Sequence, residues 1–268
     1  MRDGFIKVAA VTPDIRVADC EYNAEQICKK MKEAAALGSK IIVFPELCIT
    51  GYTCEDLFWQ EVLLNGAKDA LDQIRKESCE IDALVFVGLP WEWKGKLYNV
   101  AAAICHGRLL GLVPKKNLPN YSEFYEMRHF EPANEELDYI EYPGEEEQEW
   151  IPFGMQQIFY CPQMEGLTVA AEICEDLWVP QPPSITHAIA GANVIVNLSA
   201  SDEITGKDSY RRNLVGGQSA RLVCGYIYAD AGEGESSTDL VFAAHNLIAE
   251  NGTILAQSKR FENEIVTA

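Results

Sequence analysis

"DALVFVGLPW", residues 82–91, carries one charged residue in ten. A run this apolar and this short, rich in Val, Phe and Leu, is the pattern of a strand buried on both faces. It leads into "KLYNVAAAICHGRLLGLVPKKNLP", residues 96–119, which reads as two strands around a turn at His106-Gly107-Arg108, followed by a long loop. The chain before residue 82 has another rhythm. "GFIKVAAVTP" (4–13) is a short strand ending at Pro13, and "NAEQICKKMKEAAALGSK" (23–40) places apolar residues at 27, 31, 34, 35 and 37, a helix stopped by Gly38. "IIVFPEL" (41–47) is again a strand, and "LFWQEVLLNGAKDALDQIRKES" (57–78) is helical in composition.

Alternating strand and helix predict parallel pairing, whereas adjacent hairpins predict antiparallel pairing, so the sheet must be mixed and covered by helices on one face. The strands continue with "GLTVAAEIC" (166–174), "ANVIVNLSAS" (192–201), "CGYIYADAG" (224–232) and "VFAAHNLIAENGTILAQS" (241–258), the last with a hairpin signal in "ENG". "SYRRNLVGGQSARLV" (209–223) is compatible with a helix. So many strands in 268 residues predict an α/β fold with two sheets rather than one. Residues 131–149 hold nine acids and no Lys or Arg, and are expected to form an exposed loop or excursion. There is no internal repeat, low-complexity run or interdomain linker, and residues 1–268 are expected to form one domain.

The net charge of −19 repels phosphate backbones and anionic lipids, so nucleic acid and membrane surfaces are not expected partners. No apolar run reaches bilayer length and the first 30 residues do not read as a signal peptide, which predicts a soluble, cytoplasmic protein. Nine cysteines are scattered and never spaced as C-x-x-C, so neither a zinc site nor a disulfide framework is expected.

Three segments carry candidate chemistry. In "VFPELCITGY" (43–52), Glu46 follows a strand between Phe44, Pro45 and Leu47, where desolvation would raise its pKa toward the range useful for proton transfer. Alone, such a glutamate is more often a hydrogen-bonded structural acid. In "LTVAAEICEDLWVP" (167–180), an apolar strand ends on Cys174 at a corner whose backbone N–H groups could lower a thiol pKa and hold an oxyanion. Cys48 is the rival sulfur, but its neighbours are apolar. In "VPKKNLPNYSEFYEMRHFEP" (113–132), two lysines precede a loop, a place where lysines are ordinarily just solvated.

In that order, Glu46, a lysine of "KKNL" and Cys174 resemble the Glu-Lys-Cys signature of the nitrilase superfamily. Within it, "FPELCITGYTCEDLF", "PKKNLPNYSEFYEMRHF", "EICEDLWVP" and "VIVNLSASDE" are similar to the amino-terminal glutaminase domain of glutamine-dependent NAD synthetases, across residues 6 to about 260. The resemblance implies a four-layer αββα sandwich of two mixed sheets. It selects Lys115 over Lys116, adds Glu126 in "EMRHFEP", and places glutamine contacts near Tyr52, Tyr121, Glu175 and Ser201. Pro132-Ala133 departs from the family's usual Pro-Gly.

The implied chemistry is cysteine-dependent hydrolysis of the glutamine carboxamide, with no cofactor or metal for residues 1–268. His106, His129, His187 and His245 are expected to be structural or superficial. ATP and Mg belong to a synthetase domain whose S-G-G-x-D-S loop does not occur here; "VGGQSA" (215–220) lacks the leading Ser and the Asp. The expectation is therefore part of a longer enzyme, partnered by that synthetase domain and built into a homo-oligomer, which alone hydrolyses glutamine without making NAD. A free-standing nitrilase-type amidase or carbamoylase would share the triad and differ in substrate. A non-enzymatic interaction or metal-binding domain would not depend on Cys174.

Overall fold

The computed structural model describes residues 4–143 and 148–268. The first part runs β1 (Val8–Val11), α1 (Cys20–Ala36), β2 (Ile41–Val43), α2 (Glu61–Glu77), β3 (Leu84–Trp93), β4 (Lys96–Cys105) and β5 (Arg108–Pro114). A hairpin of β6 (Asp138–Pro143) and β7 (Gln148–Phe153) follows, then β8 (Phe159–Tyr160) and β9 (Thr168–Ile173). The remainder is α3 (Pro183–Ile189), β10 (Val194–Ser199), α4 (Lys207–Leu222), β11 (Gly225–Asp230), β12 (Leu247–Glu250), β13 (Thr253–Gln257) and β14 (Ile265–Thr267).

Among the described residues these strands form two sheets, ordered β14-β1-β2-β3-β4-β5-β7-β6 and β13-β12-β11-β10-β9-β8. Both are mixed. β1, β2 and β3 run parallel, as βα units require, and β3, β4 and β5 then zigzag antiparallel. The second sheet has a parallel centre of β9, β10 and β11 with antiparallel flanks. Tight turns make the zigzags: His106 and Gly107, and likewise Asn251 and Gly252, all have positive φ, as the two-residue hairpin turn demands.

Alternation along each strand sorts the core into layers. Val8 and Ala10 of β1 pack with Phe86, Ala101 and Ala103 against Ile173, Val196, Leu198, Ile227 and Ala229 of the other sheet. Ala9, Val11, Val85 and Val87 face the opposite way, onto Ala24, Ile27 and Met31 of α1 and Leu63, Ala67, Leu71 and Ile74 of α2. Ala170, Ile195, Tyr226 and Tyr228 face Val215 of α4. The result is the expected helix–sheet–sheet–helix sandwich. Nearly the whole apolar content of β3 and β10 is thereby used, which is why those strands read as continuous apolar runs.

Two local expectations are corrected, and one helix has no counterpart in the sequence reading. Much of the acidic stretch 131–149 is not a loop: β6 and β7 pair and extend the eight-stranded sheet, with Ile140, Tyr142, Ile151 and Phe153 buried and the charges on the solvent side. Glu145, Glu146 and Glu147 of that stretch lie outside the described residues. The helix expected from residue 57 starts at Glu61, after a tight 3₁₀ stretch, Tyr52–Trp59, broken by positive φ at Glu55. Finally α3, seven residues behind Pro182-Pro183, is too short to show a helical period in sequence.

Candidate active site

Three strand ends of the two sheets converge. The corner after β2 carries Glu46, β5 ends one residue before Lys115, and β9 ends one residue before Cys174. Gly88 of β3 fixes the first corner: a Cβ there would collide with the Leu47 nitrogen and lie 2.6 Å from the Pro45 carbonyl oxygen. Glycine is the residue that lets one backbone pass so close to another.

Lys115 is 1% exposed, while the Lys116 side chain is 39% exposed and reaches Glu135. Lys115 is thus the enclosed lysine of the pair. Its Nζ lies 2.6 Å from Glu46 Oε1 and 2.7 Å from Glu126 Oε1. Asn99 Nδ2 donates to Glu46 Oε1 at 2.6 Å and the Ala200 N–H to Glu46 Oε2 at 3.0 Å, so both oxygens of this buried carboxylate are engaged. The Tyr52 hydroxyl donates to Glu126 Oε1 at 2.9 Å, and Tyr52 is held in turn by Glu235, whose two oxygens accept from the N–H groups of Tyr52 and Thr53.

Cys174 is buried at φ +41, a left-handed conformation uncommon for a side-chain-bearing residue and typical of functional corners. Ser199 Oγ donates to its sulfur at 3.4 Å. Since Ser199 and Ala200 are adjacent, one strand end touches the sulfur with one residue and the Glu46 carboxylate with the next. Asp176 ties the two other corners together, accepting from the Ile173 N–H and from the N–H and Nδ2 of Asn117. Glu46, Lys115, Glu126 and Cys174 thus share one buried cluster. Tyr52 joins it directly. Tyr121 and Glu175 stand beside Cys174 with the Tyr121 hydroxyl on the Glu175 carboxylate. Ser201 is turned elsewhere, its hydroxyl accepting from the buried Arg211 and its N–H donating to Asp230.

Charge in this cluster is balanced at close quarters. Burial alone would push the Lys115 ammonium down, but Glu126 and Glu46 outweigh it and hold it well above its usual range. Burial pushes Glu126 up to about 7, with Lys115 opposing and Glu46 reinforcing the rise. Burial and the Glu46 charge push the Cys174 thiol well above its ordinary value, against the pull of Lys115 and Ser199. The corner therefore does not lower the thiol pKa as expected, because burial and the Glu46 charge outweigh Lys115 and Ser199; the Cys174 N–H is itself engaged by Asn197 Oδ1 at 3.2 Å. The resting group is a thiol with a base at hand, which is the arrangement for deprotonation during attack. Cys48, the rival, is buried against Gly88 and pushed up to about 12.

Of the histidines, His187 bonds the Met155 carbonyl, His245 faces Arg211, His106 is in a hairpin turn and His129 packs on Phe58. Among the described residues no group of three or more His, Cys, Asp or Glu side chains is placed to hold a metal ion. No described helix is long and apolar enough to cross a membrane.

Asn99, Asn197, Ser199 and Glu172 were not foreseen from sequence. Their signal is polarity inside apolar strands, as in "KLYNVAAAIC" and "VIVNLS", where a buried polar group must have a partner. Glu172 closes a chain behind Cys174: Asn197 Nδ2 donates to the Tyr226 hydroxyl, which donates to Glu172 Oε1, and the Ser184 N–H donates to Oε2. Burial raises Glu172 from 4.5 to about 7 despite these donors. Between those pH values the folded chain keeps a proton that the unfolded chain releases, so Glu172 costs stability as pH rises through that window. Glu172→Gln removes this titration. Denaturant unfolding between pH 5 and 7.5 should show a variant whose stability declines less with pH than the parent's, by on the order of 3 kcal/mol over the window. Equal pH slopes would mean that Glu172 is ionised throughout.

Residues 7–268 match the carbon–nitrogen hydrolase family model. The chain is 40% identical over 258 residues to a glutamine-dependent NAD(+) synthetase of Mycobacterium tuberculosis, covering 96% of this chain and 37% of that protein. It superposes on the crystal structure of a glutamine-dependent NAD(+) synthetase from Cytophaga hutchinsonii with a TM-score of 0.85 and 28% identity, over 98% of this chain and 42% of the other. An amidase of the nitrilase superfamily from Nesterenkonia shares the fold with a TM-score of 0.77 at 17% identity, over 100% of this chain and 91% of the amidase. The chain therefore spans about two fifths of the length of the NAD(+) synthetases that it resembles, and it belongs to the carbon–nitrogen hydrolase family.

Proposed function

We propose that this chain hydrolyses the side-chain amide of glutamine to glutamate and ammonia through a thioester on Cys174, the ammonia serving NAD synthesis in a longer enzyme. The observation that carries the reading is the buried ammonium of Lys115 bridging Glu46 and Glu126 beside a buried thiol. Cleaving a carboxamide needs a nucleophile, a proton carrier and a fixed positive group for the oxyanion, and these residues supply one of each. Glu46 takes the Cys174 proton as the sulfur attacks the carboxamide carbon. The oxyanion forms against Lys115 and a backbone N–H near Glu175. Lys115 acts as a cation that keeps its proton, since two carboxylates hold it in the charged form. Glu46 then protonates the departing ammonia. The same carboxylate deprotonates the water that opens the thioester.

Glu126, with Tyr52 behind it, positions Lys115. Tyr121 and Glu175, at the Cys174 corner, are placed to contact the amino-acid end of glutamine, and Ser201 completes that set through its loop. That the relatives are named glutamine-dependent synthetases supports glutamine, over other small amides, as the substrate. The test is release of glutamate and ammonia in equal amounts from glutamine, measured beside asparagine and short aliphatic amides. Glutamine should be the preferred substrate; preference for a simple amide would point instead to a free-standing amidase activity.

A further inference from the structure

Among the described residues one hydroxyl hydrogen-bonds to the Cys174 sulfur. Ser199, fully buried at the end of β10, donates to Cys174 Sγ at 3.4 Å, and its Oγ lies 2.5 Å from the hydroxyl of Tyr228 on the neighbouring parallel strand β11. A serine hydroxyl has one proton to give. If it goes to the sulfur, the Tyr228 proton must come to Ser199, and both protons are then used. In the opposite orientation the sulfur would lose its donor; the buried Asp230 carboxylate, whose Oδ2 has no hydrogen-bond partner among the described residues, is the competing acceptor for this pair of hydroxyls. Burial and the charge of Asp230 push the Tyr228 phenol well above its usual value, so it remains a donor.

The other candidate donors are engaged. Lys115 serves two carboxylates and the Cys174 N–H serves Asn197. We infer that Ser199 is a further catalytic residue, whose hydroxyl donates to the Cys174 sulfur while the thiol proton moves to Glu46, with Tyr228 as the positioning residue that aims that hydroxyl. This rests on Cys174 being the nucleophile. In the step, the S–H bond breaks, an O–H bond forms on Glu46, and Ser199 keeps its own proton. The same hydrogen bond receives the thiolate again when water opens the thioester. A hydrogen bond to a developing charge lowers the barrier where the charge appears and contributes little to substrate binding.

The experiment follows alkylation of the protein by iodoacetamide against pH, with the labelled cysteine identified by mass spectrometry, alongside steady-state kinetics on glutamine. Ser199→Ala should raise the pH midpoint for labelling of Cys174 by about one unit and lower kcat about tenfold, with KM within about twofold. Tyr228→Phe, which keeps the ring packing, should shift both in the same direction by about threefold. Melting curves establish that each variant is folded. If both variants label Cys174 with the parent's midpoint and turn over at the parent's rate, the inference is overturned while Cys174 remains the nucleophile. If Cys174→Ala retains the parent's ammonia release, the nucleophile reading fails and the role of Ser199 with it.

Discussion

Cys174→Ala is expected to abolish ammonia release from glutamine, with a loss of about 10⁴-fold or more, while the protein melts close to the parent. The kinetic half follows from the chemistry. Glu46 and Lys115 can orient water and polarise a carbonyl, but without sulfur no thioester forms, and the two easier steps revert to one difficult one. The stability half follows from the contacts. The sulfur makes one hydrogen bond, from Ser199, and the Glu46–Lys115–Glu126 cluster is held together by Asn99, Ala200 and Tyr52 without it. Alanine meets the same backbone constraint at φ +41 as cysteine does, so no additional strain arises there. Ammonia release at the parent's rate would show that another group attacks the amide.

Lys115→Met should impair both folding and turnover. Methionine fills much the same space but leaves Glu46 and Glu126 facing each other, buried, where a single ammonium had sat 2.6 and 2.7 Å from their oxygens. Removing one member of a buried ion cluster costs about 3–5 kcal/mol because the remaining charges stay desolvated. The sign of the pH effect is fixed by Glu126. It already stands at about 7 with Lys115 pulling it down, and without that cation it must rise further. The folded variant then holds protons that the unfolded chain has released above about 4.5, so its stability falls as pH rises through neutrality. Denaturant melts should therefore find the variant nearest to the parent at about pH 5 and furthest from it at about pH 8. Adding Glu126→Gln should recover part of the loss at high pH. Turnover should fall by about 10²- to 10³-fold, the effect of removing one group that stabilises an oxyanion. A variant as stable as the parent at pH 8 would mean that the two carboxylates are not both charged in the parent.

The buried Glu46, Lys115 and Cys174 cluster was legible because its residues sit just past strands whose apolar runs are unmistakable: Glu46 after "IIVF", Lys115 after "GLVP" and Cys174 after "VAAEI". Ends of buried strands must turn, and the turn puts a side chain at the mouth of the sheet. What escaped was the support. Asn197 and Tyr228 belong to strand interiors and Ser199 is the last residue of a strand, places where one polar residue among apolar ones shows burial but not its partner; Asn197 bonds Cys174, 23 positions away, and Asn99 bonds Glu46 at 53. Glu235 was hidden in a glycine-flanked loop, 183 positions from the Tyr52 that it holds. The β6–β7 hairpin was masked for another reason. It lies at the sheet edge, where charges on the solvent face keep strands from pairing with other chains, and nine acids outweighed the period-two pattern of Ile140, Tyr142, Ile151 and Phe153.

Of the nine sulfurs, the buried one held beside a carboxylate and an ammonium is proposed to be the group that meets glutamine. This proposal is tested most directly by treating the protein with a glutamine analogue that carries an alkylating group in place of the carboxamide, then mapping the modified peptide. A single adduct is expected, on Cys174, formed faster than at the exposed Cys79 or the half-buried Cys105 and Cys161, and suppressed by added glutamine. An adduct at any of those three in preference to Cys174, or labelling of Cys174 that glutamine does not slow, would contradict it.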